Sequence, residues 1–295
     1  MGIIIPNELP SFTYTGSYST ELRAAWGWII RFKTDGTLKF DKGQRIDIFL
    51  MGGGGGGAGG SNPAGGGGGG AGYAKTVKKF TAEAGKEYSI VVGDGGDGSS
   101  NGHYNGGTGG TSSAFGYSAS GGGGGKGVWN GAGGGGGAGS ADGGGTAGES
   151  GDTSYKGEDS SVYEFGDTSF QRLGGGGGGG ETSGGWYGAG GAPYGMRGGG
   201  NGGTAQHASA NTGAGGGGGR AASNGTGGPG GNGGSGIVCI RNTEILTLPV
   251  VFNGTEITQL MFNGTDITGL IYDGVRLFIR RWRKRNGQVF VQGTS

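Results

Sequence analysis

The residues that could carry covalent or acid–base chemistry are few and badly spaced for it. The two histidines, His103 and His207, lie far apart in sequence, and neither has a serine or cysteine nucleophile context nearby. A general base needs such a partner within hydrogen-bond reach, so no catalytic constellation is visible. Cys239 is the single cysteine, which excludes a disulfide framework and, with two histidines, a zinc cluster. Its setting, Ile237-Val-Cys-Ile240, makes it a small buried hydrophobe rather than a reactive thiol. Matches to G-x-G-x-x-G recur through the middle of the chain, as they must in any segment so rich in glycine, and carry no signal. There is no Walker A motif, because Gly125-Lys126 is followed by Gly127 rather than Ser or Thr. Asp94-Gly-Gly-Asp97 and Gly137-Ala-Gly-Ser-Ala-Asp142 have the composition of glycine/aspartate calcium repeats without their spacing or recurrence. No pair of acids sits as a glycosidase would require. The expectation is a protein that is not an enzyme and uses no cofactor or metal.

What remains is the chemistry of contact. Three segments interrupt the glycine with bulky side chains: 99–113 with His103 and Tyr104, 152–173 with Tyr155, Tyr163, Phe165, Phe170 and Arg172, and 181–197 with Trp186, Tyr187, Tyr194, Met196 and Arg197. Aromatic residues and arginine anchor interfaces, and aromatic faces also suit sugar rings. The candidate contact residues are therefore Trp186, Tyr187, Tyr194, Arg197, His103, Tyr104 and Tyr155. Phe165 and Phe170 read as caps on the ends of the scaffold instead. Trp129, between two glycine runs, fits either role. Near the C-terminus, Arg280, Arg281, Trp282, Arg283, Lys284 and Arg285 form a basic cluster. It is either a solvated strand-and-turn surface or a docking patch for an acidic assembly partner. Nucleic acid is not expected, since the net charge is only +1 and no binding motif is present.

These side chains need a scaffold, and the scaffold material is glycine. Of 89 glycines in 295 residues, 78 fall between residues 52 and 236, with uninterrupted runs at 52–57, 65–70, 121–125, 133–137, 174–180 and 215–219. Collagen is excluded, because the glycines come in blocks and the chain has six prolines. A flexible linker is the plain alternative. Against it, strand-like phrases separate the runs: Tyr73–Phe80, Tyr88–Val92, Ser113–Tyr117 and Ser161–Phe165. The ordered reading is polyglycine II, a helix of three residues per turn and about 3.1 Å rise, in which seven glycines span roughly 20 Å. Glycine, unlike proline, keeps its N–H and can donate sideways to neighbouring helices. Without Cβ atoms such helices pack backbone to backbone, and Cα–H···O contacts add a weak term.

The ends of the chain frame this middle. Phe12–Thr15 alternates as a short strand, and Trp26–Phe32 leads through Asp35-Gly36 to Thr37–Phe40, which predicts a β-hairpin. Arg45–Leu50 runs into the first glycine block and Gly236–Arg241 emerges from the last, so these two strands are expected to pair. Residues 250–279 repeat with period ten around Asn253-Gly254, Asn263-Gly264 and Asp273-Gly274, each a two-residue hairpin signal. Three such units are too small for a generous core and are expected to pair with another copy or another protein. The same Asn-Gly-Thr triplets match glycosylation sequons, although turn chemistry accounts for them. The N-terminal Met-Gly-Ile-Ile-Ile-Pro lacks a basic signal-peptide region, Gly2 lacks the myristoylation context, and no apolar run approaches a membrane span, so no membrane insertion is expected. The fold class expected is mainly β: a small β-sheet frame with an inserted polyglycine II lattice, plus a C-terminal β-hairpin repeat module. The boundaries are 1–51 for the frame, completed by 73–92 and 236–242, then 52–236 for the glycine-rich domain and 243–295 for the attachment module.

Four phrases carry a likeness to known proteins: Ile46-Asp-Ile-Phe-Leu-Met-Gly-Gly-Gly-Gly-Gly, Tyr88-Ser-Ile-Val-Val-Gly, Thr111-Ser-Ser-Ala-Phe-Gly-Tyr-Ser-Ala-Ser-Gly-Gly, and Gly234-Ser-Gly-Ile-Val-Cys-Ile-Arg-Asn. Over roughly 12–242 the chain resembles glycine-rich tail proteins of bacteriophages, especially of phages and prophages of gut Gram-positive bacteria. In architecture it is similar to the tail-tip adhesins of T-even-like phages, whose polyglycine II sandwich displays receptor-binding loops. The glycine-rich ectodomain of the anaplastic lymphoma kinase family is a more distant likeness. The Phe-Asn-Gly-Thr repeats resemble the ends of phage structural proteins. They are absent from the T-even adhesins, so attachment mode and receptor type do not carry over. The resemblance implies a virion protein, made in the host cytoplasm, whose partners are other tail proteins and a host-surface glycan or protein. The contact residues above would then bind the receptor, and Arg280, Arg281, Trp282 and Arg283 would serve assembly. A decoration or connector protein with no receptor is the alternative.

Overall fold

The computed structural model describes residues 9–23, 27–61, 64–100, 104–127, 162–180, 205–221 and 227–242, together with short strands between 250 and 290. In chain order the strands are β1 (Phe12–Tyr14), β2 (Tyr18–Arg23), β3 (Gly27–Phe32), β4 (Gly36–Phe40), β5 (Gln44–Met51), β6 (Ala74–Ala82), β7 (Glu87–Val91), β8 (Ser112–Ala114), β9 (Tyr117–Ala119), β10 (Val162–Tyr163), β11 (Arg172–Leu173) and β12 (Ile237–Asn242). The fold is mainly β. Two five-stranded antiparallel sheets, β1-β4-β7-β8-β9 and β2-β3-β12-β5-β6, face each other.

Side-chain alternation explains the packing. Trp28, Ile30 and Phe32 of β3, Ile46, Ile48 and Leu50 of β5, and Val238 and Ile240 of β12 point inward. They meet Leu38, Phe40, Tyr88 and Ile90 of the other sheet in one core. The intervening residues Ile29, Phe49, Met51, Ile237 and Cys239 are also buried, in a second cluster on the sheet's opposite face. Covering both faces is why these strands read as unbroken apolar runs rather than alternating ones. The strands entering and leaving the glycine-rich middle pair as expected, β5 against β12 from Met51↔Ile237 to Ile46↔Asn242.

Two turns differ from expectation. β3 and β4 are not a hairpin: β3 pairs with β2 and β12, whereas β4 pairs with β1 and β7. A type I′ turn needs positive φ at both central residues, and neither Asp35 nor Gly36 has it. The link crosses from one sheet to the other, where the Asp35 carboxylate accepts the Val92 N–H at 2.7 Å. Conversely, Ser113–Tyr117 is not one strand but the turn of a hairpin between β8 and β9, with Phe115 at φ 54° and Gly116 at φ 83°. The strained phenylalanine is buried against Tyr88 and Phe80, ring centroids at 4.8 and 5.2 Å.

Residues 162–173 form a strap of β10, a single 3-10 turn (Glu164–Gly166) and β11, laid over the outer face of the second sheet. Phe165 and Phe170 are buried there, Phe165 against Phe49 at 6.0 Å. They therefore do not cap the ends of the glycine layer as expected. Their apolar area instead seals the face of a sheet that alternation alone would have left open.

From one end of this sandwich the chain continues as glycine segments, 52–60, 64–72, 92–99, 104–111, 120–127, 174–180, 213–221 and 227–236, packed side by side into a glycine layer several segments thick. Segment 52–60 lies among six others. It donates to 104–111 from Gly53 and Gly56, to 227–236 from Gly54, Gly57 and Gly60, and to 64–72 from Gly55 and Ala58. It accepts from 120–127 at Gly53 and Gly56, from 92–99 at Gly54 and Gly57, and from 213–221 at Gly55 and Ala58. The N···O distances are 2.8–2.9 Å, and each neighbour is met again every third residue. The third direction at the glycines belongs to the missing side chain. A Cβ at Gly54 or Gly57 would stand 1.9 Å from a carbonyl oxygen of 213–221, at Gly53 or Gly56 within 2.0 Å of one in 92–99, and at Gly55 2.0 Å from one in 120–127.

In the C-terminal part, Val250–Phe252 pairs with Thr255–Ile257, Leu260–Phe262 with Thr265–Asp266, and Gly269–Tyr272 with Val275–Phe278. Leu260–Phe262 also pairs in parallel with Val289–Phe290. Each antiparallel pair flanks one of the Asn-Gly or Asp-Gly dipeptides, which themselves lie outside the described residues.

Candidate functional site

The layer is fastened to the sandwich at one end, which leaves the other end as the place where side chains can be displayed. At the fastened end, Gly52 N–H donates to Tyr73 O and Gly236 N–H to Gly93 O, at 2.9 and 2.8 Å. The Ser112 hydroxyl, fully buried, donates to Met51 O at 2.6 Å and accepts from Gly93 N–H at 2.9 Å, joining strand ladder to glycine layer. Asn211, at φ 59°, ties the start of 213–221 to the frame by donating from its amide nitrogen to Lys33 O and Gly236 O. Each of these groups satisfies a backbone atom that a change of hydrogen-bond pattern would otherwise leave open.

Toward the far end, the described parts of the segments include Gly60, Ser99, Gly127, Gly180 and Ala221, and Ala64, Tyr104, Ala205 and Gly227. Ser61 and Ala64 bridge the first crossing, and Gly60 N–H donates to Gly228 O. The Asn105 side-chain oxygen accepts the Gly127 N–H at 2.8 Å. Alongside, His207 Nδ1 accepts the Asn232 N–H at 2.8 Å, and the Asn232 side chain accepts from Gly98 N–H at 2.8 Å. His207 is thus occupied in holding two segments together.

Tyr104 stands at this far end with 66% of its surface exposed, the largest value among the described large hydrophobic side chains. It is the one candidate contact residue within the described set. His103 is its neighbour in sequence, and His103, Tyr155, Trp186, Tyr187, Tyr194 and Arg197 lie outside the described residues, as do Trp129, Arg280, Arg281, Trp282 and Arg283. In sequence, His103 immediately precedes Tyr104, Tyr155 lies between Gly127 and Val162, and Trp186, Tyr187, Tyr194 and Arg197 lie between Gly180 and Ala205.

The strongest electrostatic feature is elsewhere, beneath the strap. Glu164, with a fully buried side chain, takes two hydrogen bonds of 2.7 Å from Arg31 Nε and Nη2, and Arg31 Nη1 reaches Glu21 at 2.8 Å. Burial alone would lower the Arg31 pKa, but the Glu164 carboxylate outweighs it and holds the guanidinium charged above its ordinary value. Arg241 pairs with Asp47 at 3.1 Å and Asp167 at 3.7 Å, and its guanidinium lies over the rings of Phe165 and Phe170 at 4.6 and 5.3 Å. The Cys239 sulfur lies 3.7 Å from Glu164. Burial first, then that carboxylate, push its thiol well above the usual range, so it is not a nucleophile. Among the described residues no group of His, Cys, Asp and Glu could hold a metal ion. The sequence reading did not single out these pairs. The available signal was Arg31 and Arg241 standing inside apolar strands, because a charge so placed needs a buried counter-charge.

Among the described residues, these contacts hold the glycine segments to one another and to the sandwich. Comparison with protein families gives a match between residues 33–243 and the family described as a glycine-rich domain. No curated protein matches the chain.

Proposed function

The chain belongs to the glycine-rich domain family, and from that premise we propose that its glycine layer is a polyglycine II scaffold in a phage tail-tip or tail-fibre adhesin. The observation that carries this reading is the hydrogen-bond pattern of segment 52–60, which meets six neighbours in turn with a period of three, the period of a three-residue-per-turn helix. The interior of such a layer has room for little beyond the methyl groups of Ala58, Ala64, Ala71 and Ala214, which are fully buried. It therefore concentrates recognition in the connections at its far end, where Tyr104 is exposed and from which the segments bearing His103, Tyr155, Trp186, Tyr187, Tyr194 and Arg197 depart. The mechanism is preorganisation: loop ends held by a rigid lattice lose little ordering entropy when they bind.

On this reading the protein resides in the virion after synthesis in the host cytoplasm. It contacts a host-surface glycan or protein through the far end and other tail proteins through residues 243–295, with Arg280, Arg281, Trp282 and Arg283 in the attachment patch. Purified protein added to host cells should compete with phage adsorption, and the Trp186→Ala/Tyr187→Ala double variant should compete at least tenfold more weakly with unchanged thermal unfolding. A folded protein that does not compete at any concentration would refute the adhesin reading and leave the connector role. Truncation after residue 242 should abolish incorporation into virions under either role.

A further inference from the structure

We infer that β2 is a docking edge for a second copy of this chain, which joins it antiparallel about a two-fold axis through Thr20. The strand is outermost in its sheet and pairs with β3 from Tyr18↔Phe32 to Arg23↔Gly27 without a bulge. Among the described residues no strand pairs with its other side. The ladder decides which groups face outward. Lys33 N–H donates to Ser17 O at 2.8 Å, so by antiparallel alternation Ser17, Ser19 and Glu21 aim their backbone groups at β3. Tyr18, Thr20 and Leu22 aim theirs away from the sheet. The same three residues are exposed, Tyr18 at 44% and Leu22 at 49%. They are exposed although their partners on β3, Phe32, Ile30 and Trp28, belong to the core.

The other edges of the two sheets are guarded or short. β6, at the opposite edge of the same sheet, carries Lys75, Lys78 and Lys79. Its register against β5 shifts between Ile46 and Ile48, where Lys79 takes a φ of 62° and donates its N–H to Asp47 at 2.9 Å. Lysines and bulges are what keep an edge strand from pairing with another chain. β1 and β9, the edges of the other sheet, have three residues each. β2 has six, with neither lysine nor proline among them. Its sequence also fits itself. A two-fold axis perpendicular to the sheet sets even-numbered residues opposite even-numbered ones. With the axis through Thr20, Tyr18 faces the partner's Leu22 and Thr20 faces the partner's Thr20, so all three outward residues enter hydrogen-bonded pairs. The Tyr18–Leu22 pairs cover apolar surface, and Thr–Thr is a favourable cross-strand pair. An axis through Glu21 sets two like charges opposite each other, and an axis through Ser19 leaves Leu22 against Gly16, outside the strand.

Two strands of this length make a small contact, so the dimer is expected to be weak and to dissociate on dilution. Sedimentation of the full-length protein from about 1 to about 500 µM should follow a monomer passing into a dimer. A monomer throughout would overturn the inference, whether the edge is idle, taken by another part of the chain or reserved for a different protein. Self-pairing does not rest on the adhesin reading, and adsorption assays leave it untouched.

Substitutions on the axis test the register. Thr20→Lys sets two ammonium groups against each other and should weaken the dimer at least about tenfold with unchanged circular dichroism. A dimer of undiminished affinity would overturn the inference and put the contact elsewhere, as on residues 243–295. In Thr20→Cys the two introduced cysteines would stand with Cα atoms about 5.5 Å apart, within disulfide range. Mild oxidation should therefore give a covalent dimer. In Leu22→Cys they would stand roughly 14 Å apart, too far to bridge, and no covalent dimer is expected. The native Cys239 is buried and does not compete. Any other pattern of cross-linking would overturn the inference, and the cysteine pair decides the question even without a folded Thr20→Lys chain.

Discussion

Replacing Gly57 with alanine puts one methyl group into the centre of the glycine layer. That Cβ would stand 1.9 Å from Gly217 O and 2.5 Å from its carbonyl carbon, whereas ordinary contact begins near 3.4 Å. Gly217 must therefore retreat by roughly 1.5 Å, and it is not free to do so. Its carbonyl accepts Gly231 N–H at 2.8 Å, and Gly231 O in turn accepts Gly57 N–H at 2.8 Å. Losing two backbone hydrogen bonds at about 1 kcal/mol each and overpacking by about 1–3 kcal/mol gives a loss of about 3–5 kcal/mol. For a chain of this size that is a fall in Tm of roughly 10 °C. The control is Gly43→Ala, where the nearest atom to the new Cβ is Ala82 O at 3.4 Å, for which a change within about 0.5 kcal/mol is expected. Thermal and urea unfolding of both variants decide the matter. A Gly57→Ala protein as stable as Gly43→Ala would refute the claim that absence of side chains is what permits the layer.

Three further outcomes are expected. Ser112→Ala removes both a donor to Met51 O and an acceptor for Gly93 N–H in a fully buried place, and should cost about 1–3 kcal/mol in urea unfolding. Tyr14 is pushed up to about 12 by burial and then by Asp35. Because the fold favours its neutral form, this stabilisation is complete below pH 10 and is lost as pH rises through about 12. Ultraviolet titration should show a late component that is absent in Tyr14→Phe, whose stability should fall less over that range. Phe115→Gly relieves a positive φ but forfeits the rings of Tyr88 and Phe80. A net loss of about 2–3 kcal/mol is expected, since removing a buried phenylalanine costs about 3–5 kcal/mol and the relieved strain returns part of it. A more stable variant would show that the turn, not the packing, dominates.

The strands bordering the glycine were legible because their apolar content is dense: Ile46–Met51 and Ile237–Ile240 are buried on both faces and have no alternative use. The pairing of β5 with β12 followed from the insertion between them. Asp35-Gly36 misled because a turn-forming dipeptide reports that the chain reverses locally, not which sheet receives it. Phe115-Gly116 was missed for the opposite reason, since a phenylalanine at positive φ is tolerated only through tertiary contacts that composition does not reveal. The role of Phe165 and Phe170 was misjudged because nothing local says that the second sheet needs covering. As for the candidate site, Tyr104 was read from its glycine surround and is exposed, whereas the ion pairs of Glu164 span 133 residues and leave no local trace beyond the charged arginine in an apolar strand.

The layer's lack of side chains also bears on how such a protein can change by inheritance. Every substitution away from glycine adds at least a Cβ, and across segment 52–60 that atom meets a carbonyl at 1.9–2.1 Å at Gly52, Gly53, Gly54, Gly55, Gly56, Gly57 and Gly60. Almost any missense change there is harmful whatever the new residue, so the layer has nearly no neutral neighbours in sequence space. Segment 52–60 is also poor in sites for processing enzymes, because its one side chain is the methyl of Ala58. Variation is therefore channelled by the geometry itself into the residues outside the layer, and a lineage can diversify there while the backbone beneath stays the same.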